Sequence, residues 1–212
     1  MNSKLKSLGL ALVAALAMSA AMASAASAIE FHASDAHTIL KGSQTSPHEF
    51  TVGPGFAGIV CNIANFTGTT TATTQNSQVI TPEYKECSDT LGRIAHVTVN
   101  ATYRFTTPSS ATAAAEVHVE GTGFTIQITN GSTSVVCTVH VHAQTNNNIV
   151  YHNIANGDVE VTATTNNITT ETTGGILNCG IGNGHHAGGS YTGNTVIAGT
   201  STAGTNVNIS VS

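Results

Sequence analysis

The sequence predicts an all-β protein, an antiparallel β-sandwich of about 10–12 strands held by disulfides, because three observations agree. Thr is abundant, with 34 residues, and Val, Ile, Asn and Gly are frequent. The branched Cβ of Thr, Val and Ile fits a pleated strand better than a helix. Apolar and polar residues alternate in short runs, which is typical of strands with one face in a core. No helix is expected after the N-terminal segment.

The first 28 residues are predicted to be a signal peptide. Lys4 and Lys6 precede an apolar stretch over 8–17, and small residues with three Ala-x-Ala cleavage sites follow. The stretch has about ten residues, whereas a membrane-spanning helix needs roughly 20. Cleavage is expected after Ala28, with the two earlier sites as alternatives. The Ala-rich leader is typical of bacterial export, so we expect a secreted or cell-surface protein, or a periplasmic one if the source has an outer membrane.

The charge of the mature chain excludes two classes of partner. Residues 29–212 carry four cationic side chains against eleven carboxylates, a formal charge of −7, and there is no Lys or Arg after Arg104. Nucleic acid and anionic lipid surfaces are bound through basic patches, which the second half cannot form. No later segment is apolar for long enough to span a bilayer. The expected partner is therefore an extracellular protein or a glycan.

Four cysteines predict a disulfide framework, since an even number in an exported chain is typical of paired thiols. Zinc sites built from sulfur use closer pairs than these. Four cysteines allow three pairings, and the sequential one is preferred because each bridge then closes a moderate loop within one half of the chain. The expected bridges join Cys61 to Cys87 and Cys137 to Cys179. Each is expected to stabilise the fold by about 3–4 kcal/mol.

The mature chain, 29–212, is expected to form one sandwich domain. A break near 106–112 leaves a two-half organisation open, but about 80 residues a side is thin for independent cores. The Gly- and Asn-rich region 166–187 is interpreted as loops held by Cys179. The predicted strands are 37–41, 48–52, 57–66, 77–85, 94–105, 113–120, 123–129, 133–142, 149–155, 158–165, 189–197 and 206–211.

Two Asn-Gly pairs predict tight hairpins, because this dipeptide accepts the positive φ values of a two-residue turn. With Asn130-Gly131 as the loop, Ile126 lies opposite Val135, and the apolar positions of both strands share one face. The second turn, Asn156-Gly157, places His152 on the apolar face of its strand. A histidine in that position is expected to be a hydrogen-bonded core residue.

Histidine is the enriched ionisable residue, with ten in the mature chain. His140 and His142 share one face of a predicted strand, and a His-x-His pair on a strand can bind zinc or copper. His118 lies on the same solvent side if 113–120, 123–129 and 133–142 form a meander. Strands two apart are roughly 9–10 Å distant, so Glu116 and Glu120 are too far to complete a site with the pair. The expected interpretation is a polar sheet face that binds no cofactor, with a zinc or copper site as the alternative.

The remaining candidates for chemistry are a histidine pair and a carboxylate pair. His185-His186 lies between glycines, where it forms either a weak metal site or an ordinary loop. Asp158 and Glu160 share a strand face, and paired carboxylates serve glycosidases. The absence of Trp argues against a carbohydrate platform. There is no Gly-x-Ser-x-Gly or His-Glu-x-x-His motif, and no catalytic residue is assigned.

Three segments, 61–69, 81–87 and 189–193, resemble an uncharacterised family of exported bacterial all-β proteins with two Cys pairs. The resemblance covers most of the mature chain and implies the same exported all-β fold. That family has no assigned activity, so no functional residues follow from it.

The expected function is that of a secreted, non-catalytic structural or surface-interaction protein. The alternative is an extracellular binding module for a glycan or protein ligand that uses the Gly/Asn-rich loops 166–188. A metal-binding protein or a hydrolase comes third.

Overall fold

The computed structural model describes residues 29–110, 113–131 and 133–212, so the predicted signal peptide lies outside the described residues. The predicted all-β, antiparallel, sandwich-like fold is confirmed. Its only helical pieces in the described ranges are a 3-10 turn, Ala155–Gly157, and one α-helical turn, Ile176–Cys179. The strands are β1 Phe31–Ala33, β2 Ile39–Gln44, β3 His48–Thr51, β4 Ile59–Thr69, β5 Thr74–Gln75, β6 Ser77–Asp89, β7 Ile94–Thr106, β8 Ala115–Asn130, β9 Ser134–Val141, β10 Gln144–Ile154, β11 Asp158–Thr173, β12 Gly184–Thr200, β13 Asn206–Val207 and β14 Ile209–Val211.

Eleven strands form one antiparallel sheet whose pairings return to their start. From β8 the ladder runs through β7, β6 and β4 to the short strands β2 and β3, which both pair with β12. β12 pairs with β11, and β11 reaches β8 through β9 and β10. The sheet therefore encloses a core between its own facing halves, and β7 pairs with β8 across the proposed break near 106–112.

A second, three-stranded sheet of β14, β1 and β5 covers one end of this core. The Phe31 ring packs edge-on against the Tyr151 ring, with centroids 5.3 Å apart. The Asn153 side chain donates to the Val211 carbonyl and accepts from its amide, both at 2.8 Å. These contacts fasten the small sheet to β10.

β8 is one strand of 16 residues where the sequence predicted two, 113–120 and 123–129. Gly121 and Gly123 have φ values of +88° and +84°, and the buried positions change from odd to even numbers across them. Glycine accepts this backbone conformation at little cost. The two glycines therefore form an irregularity within a continuous strand and do not end it.

The interpretation of 166–187 as loops is wrong for most of that region, because β11 continues to Thr173 and β12 begins at Gly184. Some glycines of β12 mark close packing. A Cβ at Gly193 would lie 2.7 Å from the His48 ring, and one at Gly189 would lie 2.8 Å from the Ile168 carbonyl oxygen. Glycine inside a strand often marks such an approach of other groups. Only 174–183 connects the two strands.

The Asn130-Gly131 hairpin forms with a different register from the predicted one. Ile126 pairs with Val139 and not with Val135, because the turn extends to Thr133 and the pairing shifts again near Ile128. The partner moves by four positions, an even number, so the apolar positions still share the inner face.

The Asn156-Gly157 turn keeps its expected backbone, with φ values of +73° and +77°. The pairing of β10 with β11, however, is shifted by one residue from the predicted register. His152 therefore lies opposite Glu160 and not opposite Val161. A slip of one residue moves a side chain to the other face of the sheet. His152 is exposed, and its assignment to the core is wrong.

The two disulfides join Cys61 to Cys87 and Cys137 to Cys179, the sequential pairing. The first links directly opposed residues of β4 and β6, with the two Cα atoms 4.0 Å apart. The second links β9 to the helical turn in the 174–183 connection, with the Cα atoms 5.2 Å apart. All four cysteines are buried.

Replacing Gly131 by valine is expected to destabilise the fold by about 1 kcal/mol or more, because a β-branched residue fits poorly at its φ of +71°. No atom lies within 4 Å of a Cβ placed there, so the cost comes from the backbone alone. Urea denaturation measures it. Gly182→Val is the control, since that Cβ also meets open space and Gly182 lacks a positive φ. Equal stability of the two variants would contradict the expectation.

Candidate functional site

An apolar cavity of about 130 Å³ lies inside the closed sheet. Its wall consists mainly of inward-facing side chains, including Val119 of β8, Ile149 of β10 and Val161 of β11. Phe31 and Val211 of the small sheet cover one end. The alternation of side chains along each strand directs one apolar set into this space.

A chain of hydrogen-bonded polar side chains borders the cavity. The His48 ring nitrogen Nδ1 is hydrogen-bonded to the Tyr191 hydroxyl. The Tyr191 and Tyr84 hydroxyl oxygens are 3.2 Å apart, and those of Tyr84 and Tyr103 are 3.1 Å apart. Buried hydroxyl and imidazole groups are stable when paired in this way.

Burial keeps this chain uncharged at neutral pH. Burial raises the pKa of Tyr84, Tyr103 and Tyr191 well above the usual value for a phenol. Burial also lowers the pKa of His48, an effect that the hydrogen bond to the Asn194 carbonyl partly opposes. If His48 Nε2–H donates to that carbonyl, Nδ1 accepts from the Tyr191 hydroxyl. The Tyr191 oxygen then accepts from Tyr84, and the Tyr84 oxygen accepts from Tyr103. The residues that line the cavity include no Asp, Glu, Lys or Arg.

A cluster of ionisable side chains lies on the outer face of β9, β11 and β12. Glu171 of β11 pairs with His140 of β9 on one side and with His185 of β12 on the other. His142 is two residues beyond His140. We call these four residues the histidine cluster.

The distances within the histidine cluster are short. His142 Nε2 is 3.5 Å from Glu171 Oε2, and the ligand atoms of His142, Glu171 and His185 all lie within 4.8 Å of one another. The His140 and His142 ring centroids are 4.5 Å apart. Nitrogen and carboxylate ligands in this number suit a divalent transition metal.

The structure brings together only part of the predicted metal set. His140 and His142 belong to the cluster, whereas His118 is hydrogen-bonded to Thr145 at 2.8 Å and lies 3.7 Å from Glu116. Glu120 pairs with Arg104 at 2.5 Å. The three-stranded meander is absent, since 113–120 and 123–129 are parts of β8.

Sequence reasoning did not single out Glu171, and it considered His185 together with His186, whereas the structure places His185 beside Glu171. His186 is hydrogen-bonded to Thr172 and to the Gly182 carbonyl, both at 2.9 Å, so the two adjacent histidines have different surroundings. The alternation of Thr170, Glu171 and Thr172 was a strand signal that could have placed Glu171 outward. The carboxylates Asp158 and Glu160 do not line the cavity.

Comparisons of the chain with protein-family models, curated proteins and solved structures found no match. Within the described part of the chain, no helix has the length and apolar character required to cross a bilayer.

Proposed function

We propose that the protein is an exported, non-catalytic binding protein that holds a small apolar molecule inside its closed sheet. The observation that carries the proposal is the apolar cavity of about 130 Å³. In an unrelated protein, an engineered apolar cavity of about 150 Å³ stays dry and binds benzene or xenon. Transfer of an apolar molecule from water into such a space is favourable because it removes apolar surface from water.

The chemistry of the wall selects an uncharged ligand. Burial lowers the pKa of His48, which disfavours its charged form, and phenols are uncharged near pH 7. Because the lining residues include no Asp, Glu, Lys or Arg, a charged ligand would lose its hydration without gaining a carboxylate, ammonium or guanidinium counter-ion. In the hydrogen-bond order given above, Tyr103 and Tyr191 have already donated their hydroxyl hydrogens, so their oxygens can only accept from a ligand. The ligand class is a neutral apolar or aromatic molecule about the size of a benzene ring, with at most one hydroxyl group.

Export is the second part of the proposal. The N-terminal segment has the order of charged, apolar and small residues of a signal peptide, and its Ala-rich composition favours a bacterial source. The two disulfides agree with an oxidising, extracellular compartment. The family resemblance described above points in the same direction.

The alternative expected from the sequence, a binding module for a glycan or protein ligand that uses 166–188, is a second candidate function. Within that region, the segment between strands β11 and β12 is 174–183. There Ile176 and Leu177 are 67% and 96% exposed, which is unusual for large apolar side chains and favours contact with a protein partner.

Filling the cavity tests the first proposal. Benzene is expected to raise the melting temperature of the wild-type protein, because a ligand that binds only the folded state stabilises it. Val161→Phe places a ring into the cavity and is expected to abolish that rise. The matched control is Val150→Phe, on the neighbouring strand, where the side chain is 42% exposed and does not line the cavity.

The measurement is a thermal melt with and without saturating benzene, followed by calorimetric titration. A rise in the wild type and in Val150→Phe, but not in Val161→Phe, supports the proposal. No rise in the wild type, or an equal rise in both variants, would refute it. Circular dichroism checks that both variants are folded.

A further inference from the structure

Strand register brings the histidine cluster together from residues distant in sequence. His140, Glu171 and His185 occupy one row across three neighbouring strands, which are about 4.8 Å apart in a sheet. We propose that His142, Glu171 and His185 bind a zinc ion on this outer face, with His140 as the fourth ligand. The proposal is independent of the cavity.

The separations suit a tetrahedral metal. Ligand atoms 2.0–2.1 Å from zinc are about 3.3 Å from one another in tetrahedral geometry. His142 Nε2 and Glu171 Oε2 are already 3.5 Å apart, and the three ligand atoms lie within 4.8 Å of one another. The His142 and Glu171 side chains are 40% and 45% exposed, so they can rotate to close the remaining distance while the paired strands hold their Cα atoms.

One ligand atom makes no hydrogen bond within the described part of the chain. His142 Nε2 is shielded from solvent, and it lies 3.5 Å from Glu171 Oε2. A shielded polar atom without a partner is destabilising, and a metal ion would satisfy it. His140 Nδ1 is hydrogen-bonded to the Thr125 hydroxyl at 3.1 Å, so Nε2 is the nitrogen of His140 that would bind the metal. Hydrogen bonds to the second ring nitrogen are the usual support of a metal-binding histidine.

The charges around the histidine cluster favour a cation. β9, β11 and β12 contain no Lys or Arg. Three cationic side chains of the mature chain are engaged elsewhere: Lys85 with Glu83, Arg93 with Asp89 and Arg104 with Glu120. The Glu171 carboxylate therefore has no Lys or Arg competitor on its own or the adjoining strands.

The ligand types select the metal. Imidazole nitrogen with one carboxylate suits zinc, whereas magnesium and calcium prefer all-oxygen sites. Bound zinc would join β9, β11 and β12 near the point where the 174–183 connection leaves β11. It would therefore stabilise this region of the sheet as well as occupy the site.

Calorimetric titration of the full mature protein with zinc chloride at pH 7.5 tests the proposal. The wild type is expected to bind one zinc ion per chain. Glu171→Gln and the double variant His142→Gln/His185→Gln are each expected to weaken binding by at least about tenfold. His118→Gln and His152→Gln, which change histidines outside the cluster, are the matched controls and are expected to bind as the wild type does.

Cobalt provides a second readout, because tetrahedral cobalt(II) absorbs strongly in the visible range. Zinc is expected to displace the bound cobalt and so remove this absorption. One zinc per chain, lost in the cluster variants and kept in the controls, supports the site. Absence of zinc uptake by the wild type at millimolar concentration overturns it, as does uptake that the cluster variants leave unchanged. Magnesium chloride is expected to release no heat of binding at the same concentration.

Discussion

Gly123→Ala is expected to destabilise the protein by roughly 2–5 kcal/mol, the largest effect of any single substitution considered. A Cβ at this buried position would lie 1.8 Å from the Val141 carbonyl oxygen and 2.9 Å from its carbon. Both atoms belong to the backbone of the paired β9, so rotation of a side chain cannot relieve the clash. The residue also has a φ of +84°, which disfavours any side chain.

The variant Gly92→Ala separates the cost of the steric clash from the cost of the positive φ. Gly92 has a φ of +80°, but no atom lies within 4 Å of its Cβ position. Its substitution is expected to cost only about 1 kcal/mol, from the backbone conformation. Urea denaturation of both variants gives the difference in unfolding free energy. Similar costs for the two would mean that β8 and β9 do not approach each other at Gly123 as described.

Removal of the second disulfide, in the variant Cys137→Ala/Cys179→Ala, is expected to lower the free energy of unfolding by about 2–5 kcal/mol. Both cysteines are completely buried, and the bridge joins β9 to a connection that contains only one helical turn. Alanine is preferred to serine because a buried hydroxyl without a partner would add a separate cost. Limited proteolysis is expected to become faster within 174–183, where Leu177 is exposed.

Cys61→Ala/Cys87→Ala is the matched control. The two bridges span 26 and 42 residues. This difference in loop length changes the entropic contribution to the free energy of unfolding by only about 0.4 kcal/mol. Because Cys61 and Cys87 lie on strands that are already paired, their removal is not expected to expose 174–183. Equal proteolysis of this connection in both variants would contradict the assigned role of the Cys137–Cys179 bridge. Peptide mapping without reduction checks the pairing itself.

The histidine cluster illustrates how far sequence reasoning extends. Alternation along one strand placed His140 and His142 on a common outer face, since side-chain direction has a period of two residues. Alternation along that strand could not predict that Glu171 and His185 lie beside these histidines. Their positions depend on which strands are neighbours and on the register of the pairing. The Gly-rich composition of 166–187 was also misleading, since four of its five glycines lie in the short connection 174–183, while the flanking residues belong to β11 and β12.

The sequence by itself determined the all-β class, the positions at which apolar side chains alternate, the charge that disfavours polyanionic partners, and the cysteines available for bridges. These properties are local, because they depend on the residue type and its immediate neighbours. The tertiary structure alone decided the closure of the sheet, the register at both Asn-Gly turns, the apolar cavity and the cluster around Glu171. These features arise from pairing between distant segments, where glycine irregularities such as Gly121 and Gly123 shift the register in ways that periodicity does not encode.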